Sequence, residues 1–182
     1  MTTLARRSLV TVAVALAVLA ATGHAVHSSH QARAAVDRGP TMVPALGAAA
    51  PTVDGFRLTH LPPGLGPQVS DFSYEWGGVG LRSKVWESAN PSGGYRVDLT
   101  AHVLRGDTLT SAPAMRRFLT TYLERADWPL DPVRVGGHAG YLGDGDVFWL
   151  VRPGVGVWVS ADPDRFGPGD LRATATGVRP VR

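Results

Sequence analysis

From Tyr95 to Val103, apolar and polar positions alternate: Tyr95, Val97, Leu99, Ala101 and Val103 against Arg96, Asp98, Thr100 and His102. A period of two predicts a strand with one buried and one wet face. Phe72, Tyr74 and Trp76 alternate with Asp71, Ser73 and Glu75 in the same manner and predict a second strand. Phe56 to Leu61 and Leu81 to Glu87 read as further strands. Val147-Phe148-Trp149-Leu150-Val151 is apolar at every position, the mark of a central strand covered on both faces. Val155, Val157, Val159 and Ala161 form the next strand, with Pro153-Gly154 supplying the turn between the two.

One segment changes period. Met115, Phe118, Leu119, Tyr122, Leu123 and Ala126 fall three and four residues apart and make a single apolar stripe, which predicts a helix. Ser111 is placed to cap it, Pro113 suits its first turn, and Pro129 stops it soon after Trp128. A shorter helix is expected over 169–177, with Asp170 near its positive N-terminal end. Strands, helix, strands, helix, joined by short Gly/Pro-rich connections, make an α+β domain. The expectation is an antiparallel sheet of about six to seven strands with one long and one short helix packed on one face.

The start of the chain has another logic. Arg6 and Arg7 precede an apolar run from Leu9 to Ala21, broken only by Thr11, and small residues follow. That is the layout of an export signal. The run of about 13 to 16 residues is shorter than the roughly 20 that a spanning helix needs, which favours cleavage over a signal anchor formed by residues 8–25. Small residues suit cleavage after Ala25 or after Ala34. Arg6-Arg7-Ser8-Leu9-Val10 also resembles a twin-arginine signal, although Ala5 departs from it. Residues 1–25 are thus read as an export signal or anchor. Residues 26–52, rich in Ala, Ser, Gly, Pro and His, read as a flexible stalk, and residues 53–182 as one exported domain. Such a domain is long enough for a single hydrophobic core. The expected location is extracytoplasmic, either secreted or held at the outer face of the cytoplasmic membrane. The N-terminal segment would be the only membrane contact.

The net charge of +3 belongs to the first 52 residues, where Arg6, Arg7, Arg33 and Arg38 face only Asp37. The domain itself is neutral, so the sequence offers no basic patch for nucleic acid. The chain has no cysteine, which excludes disulfides and a lipid-anchored lipoprotein form.

Candidate chemistry is sparse. His24, His27 and His30 recur at a helical spacing but have no carboxylate beside them, and read as stalk residues. Asp98, Thr100 and His102 share a strand, yet Asp98 and His102 would stand about 13 Å apart along it, beyond hydrogen-bond reach. Asp144-Gly145-Asp146 and Asp162-Pro163-Asp164 read as turns, short of the oxygen ligands that a calcium loop requires. Gly136-Gly137 lacks a following helix and reads as a turn, not a phosphate cradle. No serine stands in a G-x-S-x-G turn. The sequence therefore assigns no catalytic, cofactor or metal residue. Among its five tryptophans, Trp149 reads as core. Trp86 and Trp158 are out of step with the apolar face of their strands, and are the candidate binding patch.

Three stretches carry a resemblance: Gly55-Phe56-Arg57-Leu58 with Leu61-Pro62-Pro63-Gly64-Leu65; Val85-Trp86-Glu87; and Val133 to Tyr141. With Val147-Phe148-Trp149 through Asp170-Leu171 to Val181, they resemble an uncharacterised family of exported actinobacterial envelope proteins. More remotely, the layout is similar to a small domain of Gram-positive envelope lipoproteins and anti-sigma factor proteins. The resemblance implies a place in the envelope and no catalytic residues. The reading that follows is a non-enzymatic binding or interaction module of the cell envelope, its partner a protein, a peptide or an apolar small molecule. Its rivals are a sensor domain modulating an envelope stress pathway, which needs stable anchoring, and a hydrolase. The hydrolase would need His60, His102 or His138 paired with a carboxylate in a pocket.

Overall fold

The computed structural model describes residues 49–181. The export segment, the histidines at 24, 27 and 30, and most of the stalk lie outside them. Among the described residues no helix is long and apolar enough to cross a membrane.

The domain is α+β. Strands β1 (Thr52–Val53), β2 (Phe56–Leu58), β3 (Gln68–Trp76), β4 (Val79–Ala89) and β5 (Tyr95–Arg105) lead into helix α1 (Ala112–Tyr122). Strands β6 (Asp131–Val135), β7 (His138–Leu142), β8 (Asp146–Arg152) and β9 (Val155–Ala161) follow, then helix α2 (Pro168–Gly177) and strand β10 (Val178–Pro180). Seven strands form one antiparallel sheet in the order β3-β4-β5-β9-β8-β7-β6, and β1, β2 and β10 form a small second sheet. Gly136 and Gly137, both at positive φ, make the β6–β7 turn read from the sequence, a conformation open to glycine without strain.

The two helices cover opposite faces of the large sheet, not one face as the pattern suggested. On one side Leu171 and Ala175 of α2, with Phe56, Leu58 and Val178 of the small sheet, join Trp86, Leu99, Ala101, Trp149, Val157 and Val159 in one core cluster. On the other, Met115 and Leu119 of α1 join Leu81, Leu104, Phe148 and Trp158. Successive residues of β9 therefore enter different cores, Val157 and Val159 one and Trp158 the other. Gly156 lets α1 approach: a Cβ there would lie 2.5 Å from Met115 Sδ.

Double coverage also corrects the reading of β5. Asp98, Thr100 and His102, expected on a wet face, are buried, while Tyr95 and Val97 at the strand's start are exposed. Asp98 accepts hydrogen bonds from Gly66 N–H at 2.7 Å, from Ser88 Oγ at 2.9 Å and from the Arg165 guanidinium. It thereby ties the segment before β3, the end of β4 and the β9–α2 connection together. Burial pushes its carboxyl pKa up, but the bonds from Arg165, Gly66 and Ser88 outweigh this and hold it below the ordinary value.

Candidate functional site

Neither tryptophan of the predicted patch is available as a surface. Trp86 is 4% exposed and Trp158 6%, and they belong to different core clusters on opposite faces. Each does point away from its strand's other apolar residues, as its register requires. The reason no patch results is that both faces of the sheet are covered. Trp158 donates from Nε1 to Asp146 Oδ1 at 2.7 Å, and Asp146 is held in turn by Arg125 at 2.9 Å. Asp146 is thus a buried acceptor shared by Trp158 and Arg125.

The exposed aromatic side chains lie elsewhere. Among the described residues, four of the seven exposed large hydrophobic side chains are on β3: Val69, Phe72, Tyr74 and Trp76. Phe72 is 53% exposed, Tyr74 39% and Trp76 40%, although their alternation had suggested a buried stripe. The cause is position. β3 is the outermost strand of the sheet, and only the end of its aromatic row meets α1. Trp76 packs edge-on against Phe118 and Tyr122, each at 5.4 Å between ring centroids. Tyr74 and Tyr122 share a 2.7 Å hydrogen bond between their hydroxyls. Burial and this bond raise the Tyr74 pKa, so the phenol stays protonated at any physiological pH. Phe118 and Tyr122 are half-buried, so the helix stripe spills out of the core into a continuous aromatic surface. Beside it an open groove of ≈ 360 Å³ is lined by Trp76, Gly77, Thr108, Ala114, Arg117 and Phe118.

Among the described residues, His60, His102 and His138 are not paired with a carboxylate. His60 and His138 are exposed. His102 is buried, its Nδ1 2.6 Å from Ser83 Oγ and its ring stacked on Trp158 at 4.0 Å between centroids. Burial pulls its pKa down to about 3, so it is neutral at pH 7. The Ser83–His102 pair was not foreseen; each residue is polar on the α1 side of its strand, and only the β4–β5 register brings them opposite each other. Among the described residues no histidine contacts a carboxylate within 4.0 Å, and no three His, Asp or Glu side chains are grouped to hold a metal.

The class that this geometry defines is an α+β domain whose seven-stranded antiparallel sheet is covered on both faces and open at an aromatic edge. Comparison with protein-family models, with curated proteins and with solved structures found no match.

Proposed function

We propose that the chain is an exported interaction module of the cell envelope whose contact surface is the aromatic row of β3 together with Phe118 and Tyr122 of α1. The observation that carries this reading is the concentration of exposed aromatic side chains on one long edge strand. Soluble domains rarely leave contiguous apolar surface uncovered, and large exposed patches mark interaction sites. Edge strands are ordinarily short, charged or covered, because their free N–H and C=O groups recruit other strands. The export part of the reading is supported by Arg6, Arg7 and the apolar run after them.

The test is a photo-reactive phenylalanine analogue placed at Tyr74 in the full chain, irradiated in the native envelope. A discrete covalent adduct at Tyr74, absent when the analogue stands at the exposed Thr176 of α2, is the expected result. No adduct at Tyr74, or equal adducts at both positions, would overturn the reading.

A further inference from the structure

We infer that the occupant of the β3 edge is a second copy of this chain, paired antiparallel about a two-fold axis through Phe72. The inference rests on the reading above that the β3 surface is an interaction surface, and it names the partner.

The two edges of the large sheet differ. β6 is a five-residue edge carrying Pro132 and Arg134, both devices that discourage strand addition. β3 spans nine residues, has no proline, and is exposed at every position but Ser70, which is intermediate. Strand addition there would bury aromatic side chains as well as satisfy backbone groups.

Pairing rules select the register. In an antiparallel ladder, directly opposed residues project to the same face, so a two-fold axis must pass through a residue opposed to itself. An axis at residue 71 opposes Asp71 to Asp71, and an axis at residue 73 opposes Asp71 to Glu75. Both place like charges face to face, which is destabilising. An axis at residue 70 or 74 leaves part of the strand without an opposed residue. The axis at Phe72 uses all nine residues: Gln68 faces Trp76, Val69 faces Glu75, Ser70 faces Tyr74, and Asp71 faces Ser73. No charge opposes a like charge.

The side chains beside β3 complete the match. Arg82 donates to Ser73, which places its guanidinium over that residue, and Lys84 holds Asp71 at 2.7 Å on the same face of the sheet. Across the axis, the second copy's Asp71 stands opposite Ser73 and therefore beside Arg82. The exposed face of β3 thus carries acidic and basic groups in the order that its own two-fold image requires. On the other face, Phe72 meets Phe72, and each remaining aromatic residue lies opposite a small or polar one.

The chain has no cysteine, which permits a direct test on the full chain, purified in mild detergent. Opposed residues have Cα atoms about 4.5–5.5 Å apart, within the range that a disulfide spans. In Phe72→Cys, diamide should take up two electrons and two protons from the paired thiols and leave a disulfide-linked dimer. In Trp76→Cys the two thiols would lie about 27 Å apart in this register and remain unlinked. Both positions are exposed, and circular dichroism checks that both variants fold. We expect at least about tenfold more linked dimer from Phe72→Cys, and a wild-type sedimentation mass of two chains. Absence of the Phe72→Cys link, or equal linking of both variants, overturns the inference. A Tyr74 photo-adduct to a different protein without the Phe72→Cys link overturns the second copy while leaving the interaction reading standing. Failure of both experiments removes both.

Discussion

His102 is neutral in the fold because its ring is sealed between Ser83 and Trp158. Its folded pKa, about 3, lies below the ordinary histidine value, so as pH falls the unfolded chain takes up a proton that the native chain refuses. Stability from this residue is complete above the unfolded pKa and declines as pH drops below about 6.5. The loss reaches about 2 kcal/mol at pH 5. Denaturant titrations from pH 7 to pH 4 should show this slope, and His102→Gln should flatten it; an unchanged slope in the variant would remove the assignment. Trp86 gives a second expectation at this scale. Burial makes it core, so Trp86→Ala should cost about 3–5 kcal/mol, whereas the half-exposed Phe118 should cost less when truncated. Equal losses in chemical denaturation would contradict that order. The sequence did reveal which way Trp86 and Trp158 point. It could not reveal what lies on the far side, because the alternation within a strand says nothing of the elements that later cover each face.

Element starts were more legible than element ends or environments. Ser111 caps α1 as expected, accepting a hydrogen bond from Ala114 N–H at 3.2 Å, and Pro113 stands in the first turn. Ser111→Ala should therefore lower stability by about 1 kcal/mol, read from the denaturation midpoint, while Ser111→Asp should retain most of it. Equal effects would mean that the cap contributes nothing. The C-terminus was misread because Leu123 and Ala126 continue the apolar stripe. In fact Glu124 adopts a positive φ of 54° and turns the chain out of the helix. The strand at β5 was legible as a strand but misjudged as half wet, since Asp98 is satisfied by Gly66, Ser88 and Arg165 from distant parts of the chain. β6 and β7, with Pro132, Gly140 and few consecutive apolar residues, gave no strand signal; their pairing is tertiary. The aromatic row of β3 was seen as a pattern, but its exposure follows from strand order, which no local window contains.

For the whole molecule, the class α+β followed from the succession of elements, and the strand number agreed, although Phe56–Leu58 belongs to the small sheet and the unread β6 and β7 complete the large one. The distribution of helices over two faces did not, because an amphipathic helix specifies that it packs and not on which side. That distribution leaves both faces of the sheet occupied and confines open surface to its margins. One margin carries Pro132 within a short strand, and the other is a nine-residue strand exposed at every position but Ser70. The consequence is one of valence. A molecule with a single reactive border saturates after one joining event, so its assembly closes at a pair and does not propagate into a fibre, whatever the protein concentration. Pro132, remote from the aromatic row, would then act as the chain terminator of the assembly.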